Sequence, residues 1–342
     1  MDHTDRPAPS RRRQPVGMAL LLTTVTIIIV AGVLLQITLG VGRNLQAMVV
    51  TPAPSMTRSN RVPSLLALPT VGVASVPQPV TVLLLGTDRR PGEEVIPRSD
   101  AILVVRIDPA SRRVAVLSLP RDLWVPIPGY DHNRLNAAYL WGEHDGPPGT
   151  GMALARVTVG EFLGLSIDYV AVTDFQGFAA LVDAIGGITV EVAQPLVDEL
   201  FPTLDRRTTT VSFSPGPLLM DGATALTYAR IRHPDSDFER GGRQQTVLIA
   251  IAQALRDRGY FANFLAAERL TGTLANYTQT DMPPERMLEL AWALRDLDAA
   301  AVERYALHEP EVIFGVDNDR FAQTPRPGVI AHYTRLLLYG HQ

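Results

Sequence analysis

The sequence predicts an α/β protein, a sandwich of helices around a central mixed sheet, running from about Pro79 to the C-terminus. Three observations lead there. Runs dominated by Val, Ile and Leu at residues 80–85, 101–107 and 114–119 have the length and composition of buried strands. Strands at Asp168–Thr173 and Ile188–Val192 flank a helical period that begins near Asp174 and stops at Gly186-Gly187. No internal repeat or second linker divides the region, and 46% hydrophobic residues in a chain of 342 can fill one large core.

Ahead of this domain, residues 14–42 carry no charge, and the stretch from Met18 to Leu35 is almost wholly apolar. A membrane-spanning helix needs roughly 20 such residues. The expectation is a transmembrane anchor over 16–42 rather than a cleaved leader, whose apolar core is usually about 7–15 residues long. Arg11, Arg12 and Arg13 favour a cytoplasmic N-terminus over 1–15, which places the rest of the chain outside the cell membrane. Residues 43–78 are rich in Pro, Ser and small side chains and read as a tether.

Within the domain, Asp108-Pro109-Ala110-Ser111 is a tight turn between the second and third strands. Helical periods recur around Leu135–Trp141, Met152–Leu163, Asp221–Tyr228, Gly242–Arg258 and Glu285–Leu297, with a further strand near Arg304–Leu307.

Composition removes several chemistries. The net charge of −4 gives no global basic field, so bulk nucleic-acid binding is not expected. There is no cysteine, hence no disulfide, thiolate metal site or thiol nucleophile. There is also no lysine, which excludes a Walker-type phosphate loop and Schiff-base catalysis. All 31 basic residues are arginines, planar donor forks suited to phosphate oxygens.

Chain tracing gathers charge in two places. If the first two strands form a hairpin and the Asp108 turn sends the third back, then Asp88, Arg89, Arg90, Arg98, Asp100, Arg121 and Asp122 collect on one rim. Several arginines brought together repel unless something negative is bound. Arg106 and Asp108, at the opposite end, read as structural. The second cluster precedes an apolar helical stripe at Val247, Leu248, Ile251, Ala254 and Leu255, so a helix is expected from near Gly241. Arg240, Arg243 and Gln244 then share a face at its first turn, either as an anion site at the positive end of the helix dipole or as an internal salt-bridge network with Asp237 and Glu239. His233 stands alone and reads as structural.

These segments, in order, resemble the LytR-CpsA-Psr family of cell-envelope enzymes. The matching stretches are Leu85-Gly-Thr-Asp88-Arg89, Arg98-Ser-Asp100-Ala101, Ser118-Leu-Pro-Arg121-Asp122, Arg134-Leu-Asn136-Ala-Ala138, and Met220-Asp-Gly222 through Arg230, then Asp237-Phe238-Glu-Arg240-Gly-Gly-Arg243-Gln244-Gln245. The resemblance implies an apolar tunnel for a polyprenyl chain and an extracytoplasmic phosphotransferase over 79–342, which moves a glycan phosphate from a polyprenyl-pyrophosphate carrier to peptidoglycan. It implies Mg²⁺ on Asp88 and Asp100, and pyrophosphate held by Arg98, Arg121, Arg230, Arg240 and Gln244, with Arg232 and Arg243 beside them. Asp237 matches an acidic position near the reacting phosphate, and either Asp88 or Asp237 is the expected base. Gly241-Gly242 departs from the bulkier residues common in the family. Two other readings use the same site: a pyrophosphatase with water as acceptor, and a lipid-binding regulator without catalysis.

Overall fold

A computed structural model of the chain describes residues 36–50, 78–89, 96–203, 207–232, 236–316 and 319–341. The first described element is a helix over 36–48 (α1). It is followed by strands β1 (Val80–Thr87), β2 (Ser99–Asp108) and β3 (Arg113–Ser118), short strands β4 (Trp124–Pro126) and β5 (His132–Arg134), helices α2 (Ala137–Asp145) and α3 (Thr150–Leu163), strand β6 (Tyr169–Asp174) and helix α4 (Phe175–Ala184). Strands β7 (Ile188–Val192), β8 (Leu196–Pro202), β9 (Thr208–Phe213) and β10 (Gly216–Met220) lead into helices α5 (Gly222–Arg230), α6 (Asp237–Arg258) and α7 (Tyr260–Ala275). The chain closes with β11 (Thr278–Thr280), α8 (Pro284–Ala293), β12 (Glu303–Ala306), β13 (Val312–Val316), β14 (Asp319–Pro325) and α9 (Val329–Tyr339).

The central sheet is six-stranded and mixed, in the order β11-β6-β1-β2-β3-β12. β1–β2 and β2–β3 are the antiparallel hairpins read from the sequence, and β6 and β12 join parallel to β1 and β3. Alternation along the strands supplies both layers. Leu83, Leu85, Ile102, Val104 and Leu117 face α2, α3 and α9. Val80, Val82, Leu103, Val105 and Val116 face the other side, where Leu248 of α6 and Met287 and Leu290 of α8 pack. The expected α/β sandwich is therefore the observed one.

The Asp108 turn is structural as expected: Asp108 accepts from the Ala110 amide at 3.0 Å and the Ser111 hydroxyl at 2.7 Å, and Arg106 donates to Thr81 Oγ1 at 2.7 Å. Gly186 and Gly187 both take positive φ, which ends α4 where the sequence places its stop. β7 pairs with β10 in a separate two-stranded sheet and stays out of the central one.

Two expectations need correction. α6 begins at Asp237, one turn ahead of Gly241, with Ser236 as N-cap accepting from the Glu239 amide at 3.3 Å. The apolar stripe used to find the helix starts only where it meets the core, so its polar first turn was invisible to that pattern. The expected tether, in turn, is ordered at its start. α1 runs through residue 48 because Val41, Leu45 and Met48 continue a helical stripe against Phe264, Ala267 and Leu274, and Val50 donates to the Thr280 carbonyl at 2.8 Å. Among the described residues no helix is long and apolar enough to cross a membrane. Of the expected anchor only residues 36–42 are described; 16–35, the cytoplasmic segment 1–15 and most of the tether, 51–77, lie outside the described residues.

Candidate active site

The β1–β2 hairpin brings the rim together, and an irregularity in it aims one carboxylate. Gly86 pairs with Ala101 but Thr87 pairs with Ser99, so Asp100 is the extra residue of a β-bulge. Bulges redirect a side chain out of the alternation, commonly beside active sites. A Cβ on Gly86 would lie 3.0 Å from that of Ala101, so glycine here lets the hairpin close next to the bulge. Asp88 follows directly on Thr87, half-buried at the same end of the hairpin.

β3 ends at Ser118 and Leu119-Pro120 turns back, placing Arg121 over Asp100. Arg121 Nη1 lies 2.6 Å from Asp100 Oδ1, and its Nε lies 3.6 Å from Asp122 and 3.9 Å from Asp237. From α6, Arg240 Nη2 sits 2.9 and 3.0 Å from the two oxygens of Asp237 and donates to the Asp100 backbone carbonyl at 3.2 Å. Asp237 is thus both an acidic N-terminal residue favourable to the helix dipole and the partner of an arginine one turn on. Gly241 faces β3: a Cβ there would come 2.7 Å from Ser118 Oγ, so glycine at this position lets α6 lie against the strand end.

Burial dominates the electrostatics. It pushes the Asp237 carboxyl up from its ordinary value; Arg240 and Arg121 pull it back, while Asp122 adds to the rise. Burial likewise lowers Arg240, against the opposing pull of Asp237. For Arg121 burial alone would lower the guanidinium, but Asp100, Asp237 and Asp122 together reverse the sign. The internal salt-bridge network that the sequence left open is therefore present, and Asp100, Arg121, Asp237 and Arg240 line a narrow cleft of about 10 Å³ with Ser118, Phe238, Gln244 and Leu307.

A second cavity adjoins it. About 290 Å³ in volume, it lies between β1, β2 and β6 on one side and α4, α5, α6 and α7 on the other, lined by Leu84, Leu103, Phe178, Leu181, Val247, Leu248, Ile251 and Leu274. Its lining is overwhelmingly apolar, and Gln244 belongs to both cavities. Arg230 stands in its wall with its guanidinium 4.7 Å from the Phe175 ring centroid and 5.2 Å from that of Phe201.

The structure thus brings together Asp100, Arg121, Asp237, Arg240 and Gln244 in one cleft, with Arg230 at the apolar cavity. Arg232 is exposed, close enough for its charge to act on Asp237 and Arg240. Arg98 is exposed at the start of β2. Arg243 turns away: it is buried, and its Nη2 donates to the Ile231 carbonyl at 2.5 Å, which ties α6 to the end of α5. Asp122 faces Arg134, at 3.0 Å, more closely than it faces Arg121. His233 and Arg90 lie outside the described residues. The sequence reading missed Phe175 and Phe201; the aromatic at the first position of α4 was the available signal for the former.

The sequence profile of the LytR_cpsA_psr family matches residues 53–324. The chain belongs to that family. Among curated LytR_cpsA_psr relatives, it is 33% identical over 213 residues to the polyisoprenyl-teichoic acid–peptidoglycan teichoic acid transferase TagU of Oceanobacillus iheyensis, covering 62% of this chain and 61% of that one. It is 36% identical over 175 residues to the corresponding transferase TagT of Bacillus subtilis, covering 50% of this chain and 51% of that one. The regulatory protein MsrR of Staphylococcus aureus is 30% identical over 207 residues, covering 60% of this chain and 57% of that one. The chain thus spans between half and about three fifths of the curated relatives it matches. In three dimensions it resembles B. subtilis TagV, with a TM-score of 0.62 at 24% identity over 77% of this chain and 97% of that one. TagT bound to LI-WTA gives a TM-score of 0.60 at 25% identity over 77% of this chain and 90% of that one. Three of the matching stretches, Arg98 to Ala101, Ser118 to Asp122 and Asp237 to Gln245, meet in the cleft.

Proposed function

We propose that this chain is a phosphotransferase of cell-wall assembly, taking a glycan phosphate from a polyprenyl-pyrophosphate carrier and attaching it to peptidoglycan outside the cell membrane. One observation carries the reading: an apolar cavity and an arginine–aspartate cleft adjoin and share Gln244. A ligand fitting both has a hydrocarbon chain ending in several negative charges. The cavity takes the part of the polyprenyl chain next to the phosphates, and the pyrophosphate lies in the cleft against Arg121 and Arg240. Arg98, Arg230 and Arg232 approach it from the rim and the cavity wall. The curated transferases among its relatives, named for polyisoprenyl-linked teichoic acid and peptidoglycan, support this class of donor and acceptor.

Asp88 and Asp100 suit a magnesium ion. Among the described residues no cluster of three or more metal-ligating side chains exists, but Mg²⁺ commonly takes one or two carboxylates and fills its shell with water and substrate phosphate oxygens. Asp100 commits one oxygen to Arg121, and Asp88 sits at the same hairpin end. When bound, the ion would neutralise phosphate charge. The arginines hold the phosphates in line and offset charge as it moves to the departing lipid phosphate. Asp237, raised toward the protonated form and facing the cleft, is placed to take the acceptor hydroxyl's proton; Asp88 is the other candidate. The apolar residues 18–35 serve as the membrane anchor that keeps the domain beside its lipid donor.

The test is transfer by purified full-length protein, with magnesium, from a polyprenyl-pyrophosphate glycan to peptidoglycan strands. Arg240→Ala and Asp88→Ala, each folded by its melting profile, are expected to lose at least 10²-fold in rate, roughly the loss on removing one preorganised charge-stabilising group. Undiminished turnover in either rejects the assignment, and donor cleavage at equal rate without acceptor identifies a hydrolase.

A further inference from the structure

The apolar cavity approaches the cleft from the α4–α7 side, which leaves the opposite side for the second substrate. There the cleft is bounded by Phe238 and Leu307, and beyond Phe238 stands Phe314, edge-on to it at 6.4 Å between ring centroids. Phe314 belongs to the β13–β14 ribbon. Its cross-strand partner is Gln323, and Phe321 lies two residues along the same strand, across a register shift in the ribbon. These rings are 48% and 54% exposed, unusual for two phenylalanines on one small ribbon.

Two arginines flank the Phe321 ring. Arg320 lies 4.5 Å and Arg134 5.7 Å from the Phe321 centroid. Arg134 is held by Asp319 through two hydrogen bonds of 2.6 and 2.5 Å and by Asp122 at 3.0 Å, and Asp122 lies beside Arg121 in the cleft. The ribbon is also bonded to the loop carrying that arginine, by the Gln323 amide donating to the Asp122 carbonyl at 2.9 Å. The exposed rings are therefore fixed relative to the reacting centre.

We infer that the β13–β14 ribbon is the acceptor platform, on which Phe314 and Phe321 stack against the pyranose rings of a glycan strand and aim one sugar hydroxyl into the cleft. The inference rests on the transferase reading above. Aromatic faces carry partial negative charge that attracts the polarised C–H bonds of a sugar face, while Arg134, Arg320 and Asp319 offer donors and acceptors for its hydroxyl and amide groups. A membrane is the wrong occupant. Arg134 and Arg320 flank Phe321, and α1, which follows the apolar stretch 18–35, reaches the sheet at the β11 edge, whereas the ribbon continues from β12 at the other edge.

The experiment uses full-length protein and compares wild type, the Phe314→Leu/Phe321→Leu pair and the Phe314→Tyr/Phe321→Tyr pair. Leucine keeps apolar bulk but removes the ring face; tyrosine keeps the face. Each is titrated with chitohexaose and with uncross-linked peptidoglycan strands, and assayed for acceptor KM, donor KM and melting temperature. The leucine pair is expected to weaken chitohexaose binding and raise acceptor KM at least tenfold, with donor KM and melting temperature unchanged, while the tyrosine pair stays near wild type. Wild-type glycan binding by a folded leucine pair overturns the platform. So does a self-association of wild type that the leucine pair abolishes without loss of glycan affinity. Ring-dependent binding of chitohexaose without any transfer by wild type upholds the platform and rejects the transferase reading instead.

Discussion

Asp237 and Arg240 are each driven toward neutrality by burial and held charged by one another and by their neighbours. A carboxylate in this position takes up a proton at higher pH than an ordinary aspartate. If it accepts the proton in transfer, the acid limb of the pH–rate profile lies above the usual aspartate range. Asp237→Asn should remove that limb and slow turnover by about 10²-fold or more, a size typical of general-base loss; an unchanged profile assigns the proton to another group. Glu303 shows the opposite sign. Arg113 holds it through contacts of 2.6 to 3.1 Å, which lower its pKa below 4.5. Its stabilisation is therefore complete above the unfolded value and lost as pH falls through the lower folded one. Glu303→Gln should cost about 1 kcal/mol at pH 7, seen by thermal or urea unfolding, and nothing near pH 2. At this scale the sequence was informative about residue type and less so about direction. Topology alone brought Asp88, Asp100 and Arg121 to one hairpin end. Nothing in it distinguished Arg240, which faces Asp237, from Arg243, three residues on, whose guanidinium points at Ile231; that choice is made by how α6 rolls against its neighbours.

At the scale of elements, long apolar strands and the α4 stop were legible because burial on two faces writes itself into composition. The first turn of α6 was not, since its residues answer to a cap and a cleft. Strands β8, β9, β13 and β14 were missed for a related reason: two-stranded ribbons at the periphery bury one face at most, and their alternation is mixed. Close helix contacts were equally hidden. Gly222 opens α5 where a Cβ would lie 2.1 Å from the Ala179 carbonyl of α4, so the two helices forming one wall of the apolar cavity meet through a residue without a side chain. Gly222→Val should therefore separate α4 from α5 and destabilise the protein by about 1–3 kcal/mol, the usual range for overpacking, measured by urea unfolding. A variant as stable as wild type would show that the wall yields freely.

For the whole molecule, the sheet divides labour between its faces. One face is solidly packed with α2, α3 and α9, while the other retains the cavity beneath α4, α5, α6 and α7. Filling that space should separate binding of the hydrocarbon from integrity of the fold. Ala171→Phe, at a cavity-lining position on β6, is expected to weaken binding of a polyprenyl pyrophosphate at least tenfold while leaving inorganic pyrophosphate affinity and the melting temperature close to wild type. Equal loss of both ligands would mean that the two cavities are not independent.

α1 gives this arrangement a mechanical aspect. Its Gly40 abuts Glu268, and Asn44 donates to the Glu268 carbonyl at 2.9 Å and to Thr271 at 3.2 Å, both on α7. The same α7 contributes Leu274 to the cavity lining. With residues 18–35 in a bilayer, as proposed, the element next to the anchor is a helix packed on the cavity wall and not a leash. The spacing between the cavity and residue 36 is then a built-in dimension of the protein, indifferent to how long the Pro- and Ser-rich segment beyond α1 becomes.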